Sequence, residues 1–201
     1  MVRVPSKAFA IGQTQVTQAL WRAVTGKSPS NFKGDQRPVE KVSWEDCISF
    51  CNQLSEKLGL RPAYRGHGNN CELIAGANGL RLPLEAEWEY APRGGQKFEY
   101  AGSDNLDEVG WYDGNAGKET HPVAQKRANG YHLYDMSGNV WEWCADDYKN
   151  PGTHRSGAGQ RVLRGGCWNH GAGLCHVAGR LRLAPDNRYN SLGLRLSRSV
   201  R

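Results

Sequence analysis

The chain has 201 residues, of which 38% are hydrophobic, with a mean hydropathy of −0.68 and a formal net charge of +6. That is the profile of one globular domain able to bury roughly two-thirds of its unfolded surface, and it excludes collagen, disorder and a membrane protein. No stretch approaches the ~20 consecutive apolar residues of a membrane-spanning helix, and Met1–Lys7 lacks the apolar run of a secretory leader. The expectation is therefore a soluble, untargeted domain, resident in a cytoplasm or carried on a viral particle. Six cysteines are too few for a disulfide scaffold, and Cys47 and Cys51 are spaced four apart in a helix-like segment that suits no bridge between them.

In chain order, the spacing predicts a helix over Val16–Val24, with Leu20, Trp21 and Val24 on one face and Gly26 as its stop. Ser43 opens a second helix with Glu45 and Asp46 in its first turn, and an apolar stripe runs Cys47, Phe50, Cys51, Leu54, Leu58 to Gly59. A third, short helix follows Pro83 across Glu85–Tyr90 and should end at Pro92. Strand candidates are short: Arg81–Leu82, Phe98–Tyr100, Trp141–Trp143, Arg161–Arg164 and Gly193–Leu196. With 25 glycines and 9 prolines between these pieces, the fold class is α+β, two main helices on small, twisted antiparallel sheets with much irregular structure. No linker, repeat or composition break divides the first 150 residues.

Charge is unevenly spread. Residues 151–201 carry nine arginines, Arg155 to Arg201, against the single acid Asp186, while residues 1–150 are slightly acidic. Clustered arginine suits either a nucleic-acid surface or guanidinium groups tying down backbone carbonyls in a loop-rich fold, and the second reading is preferred. The histidines at 67, 121, 132 and 154 are scattered through loop-like sequence and form no Ser/His/Asp order.

Five blocks occur in order: Val16–Trp21, Pro38–Asp46, Arg81–Tyr90, Leu133–Trp143 (LYDMSGNVWEW) and Arg161–Gly166 (RVLRGG). Together, over residues 9–198, they resemble the signature blocks of the formylglycine-generating enzyme (sulfatase-modifying factor) family. The resemblance implies a single C-type-lectin-like domain over residues 1–201. Enzymes of that family hold copper between two cysteines, four and nine positions past the second glycine of the last block. Those positions are His170 and Cys175 here, so one thiol is replaced by an imidazole, and a soft copper(I) site is not expected to keep its activity. The alternative, a working oxidase, needs Cys167 to substitute from three residues too early. A zinc site on Cys167, His170, Cys175 and His176 matches no standard spacing. The resemblance also implies calcium near the GNVWEW block, on the side chains of Asp135 and Glu142 and the carbonyls of Gly138 and Val140; backbone capping by the two acids is the competing reading.

Residues 161–201 contain no Lys, Glu, Gln or Met, whereas the first 160 residues hold 30 of them, so about eight were due from the chain's own composition. Codons ending in C after free variation of the first two bases omit these four types and Trp. A set of residues here falls within the allowed group: Asn169, His170, Gly171, Gly173, Leu174, His176, Val177, Gly179, Leu181, Arg182, Leu183, Ala184, Tyr189, Asn190, Ser191 and Leu192. Between them runs a framework of Trp168, Cys175, Ala178, Arg180, Pro185–Arg188, Gly193 and Arg195. This is similar to the variable protein of a diversity-generating retroelement, whose C-terminal repeat is hypermutated at the adenines of AAC codons. That resemblance implies a non-catalytic receptor-recognition protein with its variable region at 161–195, no required cofactor, and a ligand that is a protein rather than nucleic acid.

Overall fold

The computed structural model describes residues 1–66, 71–150 and 159–200; His67, His154, Arg155 and Arg201 lie outside them. The helices form where capping chemistry and apolar spacing agree. Helix α1 (Gln18–Thr25) starts at Thr17, whose hydroxyl accepts from the Leu20 N–H, and stops at Gly26 in the left-handed conformation. Trp21 and Val24 are buried, but Leu20, expected beside them, is exposed. Helix α2 (Trp44–Lys57) opens on a reciprocal Ser43–Asp46 capping box and buries Cys47, Phe50, Cys51 and Leu54. Leu58 falls at its C-cap and points to solvent instead of completing the stripe. The two helices meet through Trp21 and Phe50, stacked with ring centroids 4.7 Å apart. Helix α3 (Glu85–Tyr90) does not end at Pro92; it tightens into a 3-10 turn over Ala91–Arg93, whose first turn needs no N–H from proline. A short helix α4 (Leu106–Val109), capped by Asn105, was not foreseen.

The strands divide into three small sheets. Strands β1 (Val2–Arg3), β2 (Phe9–Ile11) and β9 (Ser197–Ser199) form one, and β3 (Tyr64–Arg65) pairs with β4 (Glu72–Leu73). The principal sheet joins β5 (Trp141–Asp147), β6 (Arg161–Arg164), β7 (Arg180–Leu183) and β8 (Leu192–Gly193) in the order β7-β6-β5-β8. Its β5–β8 pair is parallel, a departure from the all-antiparallel expectation. Phe98–Tyr100 is not a strand, and Arg81 makes only an isolated bridge to Ser197.

Strand β5 explains how the sheet sits between two cores. Every residue of it is buried, and side chains alternate across a strand. Trp141, Trp143 and Ala145 therefore enter the core made with α1 and α2, and Cys144 enters a second core with Trp88, Leu133 and Met136. Glu142, on the same side as Cys144, needs a partner there. It receives the Arg195 guanidinium at 2.8 Å, both side chains fully buried, and the Trp88 indole N–H at 2.6 Å.

Candidate functional site

The predicted variable positions begin where β6 ends. Gly165 and Gly166 turn the chain there with φ of 98° and 77°, and a Cβ on Gly166 would lie 2.4 Å from Cys175 Sγ, so both positions require glycine. From 167 to 192 no residue has a positive φ. The backbone of this segment therefore imposes no demand that an ordinary L-residue fails to meet, in contrast to the turn that launches it.

Framework groups hold the segment mainly through main-chain atoms. Trp168 donates its indole N–H to the Asn190 carbonyl at 3.0 Å, and its amide to Asn139 at 2.9 Å. The Ser191 carbonyl accepts from Trp141, Tyr189 from Lys41, Pro185 from Trp44 and His170 from Asp113. Arg164 reaches the Gly179 carbonyl at 2.9 Å, and the Val177 amide donates to the Glu99 carbonyl. Such contacts are indifferent to the side chain carried by the variable residue. Four variable side chains do have partners: Asn169 Oδ1 accepts from the Cys167 thiol at 3.0 Å, the Arg182 guanidinium lies 4.8 Å over the Tyr148 ring, and two histidines are engaged. His170 Nδ1 accepts from the Trp141 indole at 3.0 Å, and His176 pairs with Glu99 at 2.8 Å.

Exposure divides the predicted set. Asn169, Gly171, Gly173, Leu174, Arg182 and Tyr189 are exposed, Leu174 by 38% and Tyr189 by 51%. His170, His176, Ala184, Asn190 and Ser191 are half-buried. Val177 and Leu192, at 6% and 1%, belong to the cores, and Leu181 and Leu183 are half-buried against the core beneath α2. Gly179 is cramped as well, since a Cβ there would lie 2.6 Å from the Leu174 carbonyl oxygen. These five positions are corrections to a fully displayed set, because codon pattern records what can vary and is blind to packing. Trp168 and Trp141 gather Asn169, His170, Asn190 and Ser191, whereas Leu181–Leu183 lie on β7, three strand spacings (roughly 14 Å) from β8 across the sheet.

The arginines act as ties. Arg180 makes two hydrogen bonds to Glu85, at 2.6 and 2.8 Å, and stacks on Tyr148. Arg188 makes two to Asp46 and one to the Asp186 carbonyl; the carboxylate of Asp186 itself is not the partner. Arg161, Arg164 and Arg195 are buried. Guanidinium groups engaged in this way are not a free cationic stripe for phosphates.

Metal chemistry finds little support. Among the described residues no group of three or more His, Cys, Asp or Glu side chains is placed to hold a metal. The zinc set is split: Cys167 faces Asn169, and the two histidines have the partners given above. Burial pushes the thiols of Cys167 and Cys175 up to about 12, away from the thiolate that binds metal. Burial also lowers the pKa of His170, and Asp113 opposes it. The calcium residues do lie together, and the protein's own donors serve only part of their oxygens. The carbonyls of Asp135, Gly138 and Val140 and Oε1 of Glu142 converge at 2.9–3.3 Å on the side-chain nitrogen of Gln15, a residue the sequence did not single out, whose two N–H groups can serve only two of these four oxygens. Two oxygens, Asp135 Oδ1 and Gln15 Oε1, are buried without a partner and favour a cation. Against it, Glu142 already accepts from Arg195, Trp88 and Gln15, and the Arg195 charge repels a second cation. Calcium held through Glu142 would have to compete with Arg195, while the orphaned oxygens of Asp135 and Gln15 would gain a partner.

A glycine-launched segment fixed by its backbone on a sheet between two cores defines the class, a C-type-lectin-like scaffold. The sulfatase-modifying factor enzyme 1-like domain matches residues 1–200, and the chain belongs to that family. It is 38% identical to "Chaperone protein LppX" of Paenibacillus barcinonensis over 95% of this chain and 80% of that one. It is 32% identical to the formylglycine-generating enzyme of Streptomyces coelicolor, over 94% of this chain but only 62% of the enzyme. Among solved structures, Treponema denticola variable protein 1 matches with a TM-score of 0.88 and 36% identity, covering 98% of this chain and 91% of that one. A Major Tropism Determinant, M1 variant, shares the fold with a TM-score of 0.54 at 12% identity, over 96% of this chain and 50% of its own.

Proposed function

We propose that this chain is a non-catalytic ligand-binding domain diversified by a retroelement, and that it binds a protein through the exposed part of residues 169–192. One observation carries the reading: the segment combines a backbone without left-handed residues and anchoring mainly through main-chain groups, so most of its outward side chains carry no structural duty. The exposed residues, an aliphatic, an arginine and a tyrosine among them, include types that dominate protein interfaces. The likeness to a variable protein supports the same reading.

His170 counts against the oxidase. With Nδ1 accepting from Trp141, its proton sits on Nε2, which leaves no lone pair in the ring for copper. The genomic neighbourhood tests the proposal: a near-copy of the segment encoding 161–195, rich in AAC, should lie beside a reverse-transcriptase gene. Its absence would reduce the segment to a diverged family loop. Aldehyde formation on a cysteine-containing sulfatase peptide with copper would establish the oxidase instead.

A further inference from the structure

Beside the display segment lies a cavity of about 490 Å³ between α1, α2 and the loop that ends at Arg188. Its walls include Trp21, Pro29 and Val42 on the apolar side and Lys27, Lys41 and Arg188 on the charged side. Arg188 is neutralised by Asp46. Among the described residues, neither Lys27 nor Lys41 has an ion-pair or hydrogen-bond partner for its ammonium, so the cavity carries an unmatched charge of about +2. The Trp21 indole N–H, buried at its wall, donates to nothing.

Lys41 adds an independent observation. It has φ 59°, a left-handed conformation that glycine or asparagine adopts at lower cost. Six other described non-glycine residues share this conformation, Ala124 among them, so what counts is the position of Lys41. Its amide donates to the Tyr189 carbonyl at 3.0 Å, which fixes the cavity rim to an exposed variable position. None of the six wall residues belongs to the variable set except as framework.

The geometry points to a constant anchor site for a carboxylate with an apolar neighbour, supplied by an acidic segment of the protein partner. The carboxylate sits between Lys27 and Lys41, and the apolar group packs on Trp21 and Val42. This rests on the proposed ligand-binding function and deepens it: variants with different display residues would share one requirement, an acidic group near the contact with position 189.

The probes are acetyl-Leu-Glu-amide, whose carboxylate is a side chain, and acetyl-leucine, whose carboxylate is a chain end. Each is titrated to about 10 mM into the intact domain while the Trp21 indole N–H resonance is followed, assigned with Trp21→Phe. Acetyl-Leu-Glu-amide should shift that resonance to saturation; saturation by acetyl-leucine alone would overturn the acidic segment as the source of the carboxylate. Lys27→Ser with Lys41→Asn, the second chosen because asparagine tolerates the left-handed backbone, should weaken binding about tenfold or more. Alanine at Leu174 and Tyr189 should leave it unchanged. Neither probe saturating, the lysine variant binding as tightly, or a single-stranded oligonucleotide shifting Trp21 at lower concentration than both probes would overturn the site. The genomic test can fail while this one succeeds, so the two readings stand or fall separately.

Discussion

Replacing Leu192 by alanine should cost far more than replacing four exposed variable residues at once. Leu192 is 1% exposed, lies in the core with Trp141 and Trp143, and pairs in parallel with Trp141. Removing three buried carbons at such a site costs about 3–5 kcal/mol, the transfer of the lost surface plus the cavity left behind. In a domain of this size, 1 kcal/mol moves the melting temperature by roughly 2–4 °C, so Leu192→Ala should lower it by roughly 6–20 °C. The comparison variant carries Asn169→Ser, Leu174→Ala, Arg182→Ser and Tyr189→Ala. Its side chains are exposed, and the interactions lost are the Cys167 thiol's weak hydrogen bond to Asn169 Oδ1 and the Arg182 guanidinium over Tyr148, 4.8 Å from the ring, the latter worth about 0.5 kcal/mol at an exposed site. The four changes together should move the melting temperature by less than about 4 °C. Thermal melts by circular dichroism at one pH decide the matter. If the four-site variant unfolds as early as Leu192→Ala, or if Leu192→Ala is silent, the division into buried and displayed positions is wrong.

Arg195→Met leaves the Glu142 carboxylate buried without its cation and should cost about 3–5 kcal/mol in urea unfolding, whereas adding Glu142→Gln should recover part of that loss. Glu40 is fully buried, with one carboxylate oxygen unpaired, and burial raises its pKa from 4.5 to about 7. Its folded pKa is the higher one, so its contribution is fully present below pH 4.5 and is lost as pH rises through 7, by up to about 3 kcal/mol; Glu40→Gln should flatten that slope, and an unchanged pH profile would contradict the assignment. Millimolar calcium or a chelator should leave the melting temperature where it is, because Arg195 already neutralises Glu142; a rise with calcium would show that the ion is held by the buried oxygens left without a donor.

What was legible in the sequence was local. Ser43 with Asp46, and Gly26, are caps whose chemistry acts within four residues, and helices began and ended where those residues placed them, whereas the Thr17 cap moved the first helix two residues past its expected start. Strands β2 and β7 carry no such signal. β2 has three residues and exists because Phe9 meets Ser199 across almost the whole chain, and β7 because Leu181 meets Leu163. Phe98–Tyr100 has the aromatic content of a strand, yet Tyr100 uses its ring to pack with Leu106, Val109 and Cys175. The same limit applies to the site. The family blocks identified the scaffold, and the missing residue types identified the variable segment. That Val177, Leu192 and Gly179 face packed atoms depends on where distant chain passes, as does the placing of Gln15 among the carbonyls of a loop more than 100 residues away.

Anchoring through the main chain sets a limit on the repertoire itself. Randomising both adenines of AAC gives CCC, proline, in about one outcome of sixteen, and proline is the one member of the set without an N–H. The amides of His170, Leu174, Val177, Gly179 and Leu192 all donate to carbonyls, those of Val177 and Leu192 from buried positions. Over five such codons roughly a quarter of newly written chains would lose at least one of these bonds before any ligand is met. Selection on this segment therefore acts twice, first on folding through proline and then on recognition, and surviving variants should show proline depleted at these five positions relative to Asn169 and Tyr189.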